Sequence, residues 1–311
     1  MSNTSLESFV KRICPICKES DYTEWYQPPQ SPGPVVQCKG CGFVYINPVQ
    51  TAQGLIEEGP VLGDRPAHLL TSSDLTDIQG SWEEPVIANH MKEFDAKKIN
   101  SQDALNYIHR LRPQRGKILD VGCFCGVFLS AAKDNGWDCY GVEPLVMPAI
   151  YARARFGLKV VTDTLRENTY PTDFFDVVTA FQVFEHLVHP EKEIDKLHKF
   201  IEPGGLLLIE VPNIETITVK ILRAKHRHFV QDHVSFFSAD TLGKLLEQRG
   251  FQIKKIYYPT RVLSVKHFIW WLGKYVPKFS NMIARLLPRS LLNKPIHINL
   301  KDIVAVIAEK K

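Results

Sequence analysis

The stretch Lys117-Ile118-Leu119-Asp120-Val121-Gly122-Cys123-Phe124-Cys125-Gly126 restricts the folds open to this chain more than any other. A short apolar run suited to a buried strand enters a turn with glycines four apart, and a helix-like run from Val127 to Lys133 follows at once. Gly122 and Gly126 carry no Cβ, so a ligand can approach the backbone closely at such a turn. Asp120 closes the strand, and ligands of open α/β sheets bind in the crevice beyond the carboxyl ends of the strands. The spacing is Asp-x-Gly-x-x-x-Gly. A Walker loop would need a Gly-Lys-Ser/Thr ending, and a dinucleotide turn the tighter G-x-G-x-x-G.

Here the chain resembles the class I S-adenosylmethionine (SAM)-dependent methyltransferases. The resemblance continues at Val142-Glu143-Pro144, one strand–helix–strand later. An acid ending the second strand is placed to take both ribose hydroxyls of a nucleoside. Strand and helix patterns then alternate, which predicts a doubly wound, mostly parallel sheet with helices on both faces; the family implies seven strands, the last antiparallel. Met147 to Phe156 reads as a helix, Lys159-Val160-Val161 as a short strand, and Phe174 to Phe181 as a continuous apolar strand of the buried parallel kind. The resemblance adds Asp163 as a cofactor residue bordering the adenine, with an Asx turn as the plain alternative. Phe181, at the end of its strand, joins Asp120, Gly122, Gly126 and Glu143 as a cofactor-binding candidate.

Glu185-His186-Leu187 follows that strand, as in members acting on small molecules. A histidine there has a titratable nitrogen at the mouth of the crevice; His189 reads as a cap of the next turn. Glu202-Pro203-Gly204-Gly205 forms a turn before the apolar run Leu206 to Pro212. Further on, Val230-Gln231-Asp232-His233 resembles the zinc-ribbon methyltransferases of deoxysugar and surface-glycan pathways. Where their sugar C-methyltransferases read Tyr-x-Glu-His, this chain keeps His233, shortens the acid to Asp232 and lacks the tyrosine. The expected catalytic set is His233 oriented by Asp232, or His186 beside Glu185, as the general base.

Upstream, Cys14-Pro15-Ile16-Cys17 and Cys38-Lys39-Gly40-Cys41 are two C-x-x-C knuckles separated by 20 residues. Four thiolates from two tight turns match a tetrahedral structural zinc site, which has no open coordination position for chemistry. A redox dithiol would need only one such knuckle. Seven cysteines, split four and three, do not look like a disulfide framework. The ribbon carries little basic excess, which argues against a nucleic-acid partner.

Residues 10–48 are therefore expected as a zinc ribbon, 49–112 as a helical connector or cover, and 113–311 as the SAM-binding core. The net charge of +4 conceals an asymmetry, because 261–301 holds eight Lys/Arg and no Asp/Glu, leaving the rest of the chain at −4. This basic, amphipathic insertion carries Trp270 and Trp271 beside lysines, so 265–292 reads as a membrane-surface segment or as a lid meeting a phosphate-bearing substrate. The start of the chain leads into no apolar h-region, and no apolar run approaches ~18 residues. The expected protein is cytoplasmic, and membrane-associated only on the first of these two readings of 265–292. Its expected function is methyl transfer from SAM to a small-molecule or glycan-type acceptor, a sugar nucleotide or lipid-linked intermediate. A non-catalytic SAM-binding or zinc-ribbon interaction module is the alternative.

Overall fold

The computed structural model describes residues 8–29, 33–51, 84–273 and 276–311. Residues 52–83, the first half of the expected connector, lie outside the described residues. The first elements are β1 (Ser8–Val10), β2 (Tyr22–Tyr26), β3 (Val35–Cys38), β4 (Val44–Ile46) and β5 (Val49–Thr51). Then come α1 (Glu84–Met91), α2 (Phe94–Leu111), β6 (Lys117–Val121), α3 (Val127–Asp134), β7 (Asp138–Val142), α4 (Val146–Phe156), β8 (Lys159–Val161) and β9 (Phe175–Phe181). The second half holds α5 (Pro190–Phe200), β10 (Ile201–Pro212), α6 (Ile217–Leu222), β11 (Ser235–Phe236), α7 (Ala239–Gln248) and β12 (Phe251–Tyr257). It closes with β13 (Arg261–Ser264), α8 (Val265–Gly273), α9 (Pro277–Leu286), α10 (Arg289–Leu292), β14 (Pro295–Ile298) and β15 (Ile303–Lys310).

Seven strands form the central sheet in the order β12-β15-β10-β9-β6-β7-β8. Neighbours from β10 to β8 run parallel, and β15 is antiparallel to both β10 and β12. The chain steps outward from β6 to β7 and β8, then returns to place β9 on the other side of β6. That reversal makes the β6–β9 junction the switch point where an open α/β sheet offers a ligand crevice. This is a Rossmann-like, mostly parallel sheet.

Strand alternation sorts the core into two layers. Leu119, Val178, Leu207 and Val306 face Ile194, Leu197, Leu242 and Leu246 of α5 and α7. Their sequence neighbours Ile118, Val177, Leu208 and Ala305 face Leu105, Ile108, Phe128 and Ala132 of α2 and α3. Helix α7 starts on a capping box, with Ser238 accepting from Thr241 N–H. His189 occupies the equivalent position before α5, but its side chain makes no capping bond; its Nδ1 lies 3.7 Å from Glu191 instead. The Pro203-Gly204-Gly205 turn is absorbed into an irregular start of β10, where the register shifts between Ile201 and Leu206.

The four-cysteine unit is built into this core. Cys14, Ile16, Cys38, Phe43 and Tyr45 belong to the same buried cluster as Val211, Phe237 and Leu242. Its sheet has the order β11-β4-β3-β2, so one strand comes from residues 235–236, next to His233. Helix α1 lies over the glycine turn, with Ile87 packed on Cys125 and Ile150. The 261–301 excursion is a β13–β14 hairpin enclosing three helices. Asn100 of α2 anchors it by taking Val262 N–H at 2.8 Å.

A candidate cofactor cradle and histidine pair

Asp120 and Glu143 both sit at strand ends facing the switch point, 3 % and 4 % exposed. Thr179, opposite Asp120 in the β6–β9 register, donates its hydroxyl to Asp120 Oδ1 at 2.7 Å. Glu143 takes Phe124 N–H on Oε2 at 2.8 Å and Leu145 N–H on Oε1 at 2.9 Å. Each carboxylate oxygen has a second lone pair, so both remain able to accept a ribose hydroxyl. Burial pushes Asp120 up to about 8, against the Thr179 bond and helped by Glu143. Burial also raises Glu143, against its two backbone bonds. Such a pair favours a ligand that brings positive charge and hydroxyl donors, as SAM does.

Gly122 and Gly126 both adopt left-handed backbone, φ +72° and +74°. A Cβ at Gly126 would meet Leu158 Cδ1 at 2.5 Å, and one at Gly122 would meet Val183 Cγ2 at 2.6 Å. Close packing against Val183 and Leu158 therefore also asks for glycine at both turn positions, whatever ligand approaches the backbone. Phe181 ends β9 half-buried, its ring 4.6 Å from that of Phe128. Asp163 is engaged in its own turn, accepting Thr164 N–H at 2.7 Å and pairing with Arg166 at 3.1 Å.

Beyond β9, His186 and His233 meet edge to face with ring centroids 4.8 Å apart. His186 Nδ1 lies 2.9 Å from the carbonyl of Asp232 and 3.5 Å from its carboxylate. His233 Nδ1 lies 2.9 Å from the carbonyl of His228. A carbonyl only accepts, so both rings carry their proton on Nδ1 and present a bare Nε2. Asp232 therefore orients His186, and the expectation that it orients its sequence neighbour His233 is corrected. Burial, then the nearby His186, lowers His233 to about 4. Glu185 is buried with no partner on Oε2, and burial raises it to about 8.

The four Sγ atoms of Cys14, Cys17, Cys38 and Cys41 lie within 4.8 Å of one another. Cys14–Cys41 and Cys17–Cys38 are 3.5 and 3.4 Å apart. Tetrahedral Zn–S bonds of ~2.3 Å require sulfurs ~3.8 Å apart, so the cluster fits one zinc ion with small adjustment. Burial raises the Cys14 and Cys41 thiols, a cost that a divalent cation reverses by holding thiolates. The two knuckles repeat one backbone trick, since Lys18 and Gly42, each just after the second cysteine, are both left-handed.

Residues 90–256 match the family model described as a methyltransferase domain. The chain belongs to this family. Among curated relatives of the methyltransferase domain, the ubiquinone biosynthesis O-methyltransferase of Aliivibrio fischeri (strain MJ11) is 28 % identical over 153 residues, 45 % of this chain and 65 % of that protein. The tRNA U34 carboxymethyltransferase of Hydrogenovibrio crunogenus is 30 % identical over 148 residues, 44 % of each chain. The matches thus span less than two thirds of these two relatives. Among solved structures, a SAM-dependent methyltransferase from Archaeoglobus fulgidus has a TM-score of 0.47 at 18 % identity, covering 71 % of this chain and 99 % of the other. The 1,6-didemethyltoxoflavin-N1-methyltransferase of Burkholderia thailandensis, solved with bound 1,6-didemethyltoxoflavin and S-adenosylhomocysteine, has 0.47 at 14 %, covering 80 % and 93 %.

Around the methyltransferase domain's crevice, the sequence reading missed Thr179 and Glu210. Gln182 N–H meets the Glu210 carbonyl at 2.8 Å, and burial raises the Glu210 carboxyl to about 7. Each is a lone polar residue inside an apolar strand run, a signal that was present in Val177 to Ala180 and in Leu206 to Val211.

Proposed function

We propose that the chain transfers a methyl group from SAM to a small-molecule or glycan-type acceptor, such as a sugar nucleotide or a lipid-linked intermediate. One arrangement carries the proposal: the buried Asp120–Glu143 cradle at the switch point, with the His186–His233 pair on the segment leaving the adjoining strand. SAM, when bound, supplies a methyl group already activated by its sulfonium. Glu143 holds the ribose through its remaining lone pairs, and Asp120 stays ionised beside the positive cofactor.

The acceptor must lose a proton as it attacks. His186 is the base in this proposal, because the Asp232 carbonyl, 2.9 Å from Nδ1, fixes the ring and leaves Nε2 for the acceptor proton. His233, held neutral by burial, offers its own bare Nε2 to an acceptor hydroxyl. An oxygen acceptor agrees with the name of the Aliivibrio relative. Alignment supplies up to ~7–11 kcal/mol of the barrier reduction, and a placed base adds ~10²–10⁴-fold. The four cysteines hold a structural zinc ion in this proposal. The 265–292 segment rests on an anionic lipid surface, bringing the site to lipid-linked acceptors.

The test is a thermal-shift titration with S-adenosylhomocysteine run beside NADH. At a hundredfold over Kd the homocysteine nucleoside should stabilise by ~2.7 kcal/mol, a rise of roughly 5–10 °C, and NADH should do nothing. Labelled SAM is then offered with sugar-nucleotide, quinol and lipid-linked acceptors. Binding without transfer to any of them would favour the interaction module.

A further inference from the structure

We propose that Arg12 is a positioning residue, through which the four-cysteine unit sets the spacing of the His186–His233 pair. The inference rests on the acceptor-side role given to those histidines above. Arg12 stands two residues before Cys14 and is 7 % exposed. Its backbone is fixed by Asn47, whose Oδ1 takes Arg12 N–H at 2.8 Å while its Nδ2 donates to Arg12 O at 3.1 Å.

From that base the guanidinium crosses into the methyltransferase domain. Nη1 donates to the carbonyl of Val234, immediately after His233, at 3.0 Å. Nη2 donates to the carbonyl of Val188, two residues after His186, and reaches Ser235 Oγ at 3.3 Å. Ser235 Oγ in turn donates to Leu187 O at 2.7 Å, and Val234 N–H to Glu185 O at 2.8 Å. Ile46 of β4 adds its N–H to Val234 O at 3.0 Å. The two histidine-bearing segments, remote in sequence, are thus laced together, and Arg12 is the side chain that grips both from outside.

Its hydrogen-bond partners there are carbonyl and hydroxyl oxygens rather than a carboxylate. Glu191 nearby and the Tyr45 ring 5.4 Å away favour its charge, but burial outweighs them, so the contact is a weak means of stabilising a core. It is an effective means of fixing two backbones, because a rigid planar fork addresses both acceptors at once and an ammonium cannot. Alignment is where such a device matters, since ~1 Å of misplacement can cost about 10²-fold in rate.

The experiment compares the full-length wild type, Arg12→Met and Arg12→Lys, each labelled with ¹³C-histidine. The ring-to-ring nuclear Overhauser effect between His186 and His233 is recorded, its peaks assigned with His186→Gln and His233→Gln. S-adenosylhomocysteine affinity is measured by calorimetry on the same samples. The expected result is a clear wild-type cross-peak, its loss in Arg12→Met and a weakened one in Arg12→Lys, with S-adenosylhomocysteine affinity within about twofold throughout. A cross-peak of wild-type strength in Arg12→Met overturns the proposal. So does S-adenosylhomocysteine affinity that falls in step with the cross-peak, which would mark a general loss of structure. Should Arg12→Met fail to fold, Ser235→Ala removes the Leu187 bridge and the hydroxyl contact to Arg12; it should weaken the cross-peak, and an unchanged one overturns the proposal. None of these readouts needs turnover, so a failure of the methyl-transfer reading is seen separately.

Discussion

The hydroxyl of Thr179 lies 2.7 Å from the carboxylate of Asp120 and ties β9 to β6 where a cofactor would enter. That single neutral donor is not enough to keep a buried carboxylate charged, so burial carries Asp120 from its ordinary 3.8 up to about 8. The folded protein then holds a proton that the unfolded chain releases. Stability from this group is full below pH ~4 and is lost as pH rises through about 8. A positively charged cofactor reverses the preference. SAM affinity should therefore weaken as pH falls through 8, and SAM binding at pH 7 should release a proton, seen as a buffer-dependent enthalpy in calorimetry. Asp120→Asn should raise the melting temperature of the empty protein at pH 8–9 while costing about 10- to 100-fold in affinity, as for loss of a charged hydrogen bond. A Kd that is flat from pH 6 to 9 would count against this assignment.

Asp232 and His186 form the second relationship with consequences. If His186 is the base, His186→Ala should lower turnover by about 10²–10⁴-fold. Asp232→Asn should lower it less, because the carbonyl that fixes the Nδ1 proton remains. His233→Ala should act mainly on acceptor KM, since a ring held at about 4 is a poor proton acceptor at neutral pH. S-adenosylhomocysteine affinity should be unchanged in all three. Equal turnover losses for His233→Ala and His186→Ala would move the base to His233 or to the pair acting together.

How far the chain betrayed these arrangements depended on distance along it. Asp120 and Glu143 were legible because a strand end fixes where its last side chain points. The crossed service of Asp232 to His186 was not, because adjacency says nothing about which way Nδ1 faces; His186 lies 46 residues from its acceptor. Gly126 was read for the approach of a ligand, and its packing on Ala152 of α4 and on Leu158, just before β8, was not foreseen. Arg12 looked like one of a few ordinary ribbon charges. Its acceptor Val234 is 222 residues away, and no local pattern records such a contact.

The four-cysteine unit predicts a metal content. One zinc per chain should be found by elemental analysis of the purified protein, and none in Cys38→Ser. Because Phe43 and Tyr45 are wholly buried in the main core, losing the ion should lower the melting temperature of the whole methyltransferase domain. An independent low-temperature transition for the ribbon, with the main transition unmoved, would show instead that the two parts are uncoupled.

The last prediction concerns the basic excursion. Trp270 and Leu286 are 58 % and 74 % exposed on α8 and α9, while Ile269 is buried and Ser280 ties the two helices by donating to Ile269 O at 2.6 Å. Among the described residues no helix is long and apolar enough to cross a membrane. Exposed apolar side chains on a helix pair whose own sequence carries no acid, though Glu93 pairs with His267 of α8, suit shallow insertion among anionic headgroups. The protein should co-sediment with phosphatidylglycerol vesicles at low salt, with a blue shift of tryptophan emission, and release as salt screens the charges. Lys266→Glu with Lys278→Glu should weaken binding by well over tenfold, taking about fivefold for each positive charge removed. Trp270→Ser with Leu286→Ser should abolish the blue shift while leaving S-adenosylhomocysteine affinity intact. Binding to neutral and anionic vesicles alike would rule out the electrostatic part, and no binding to either would return the segment to service as a lid.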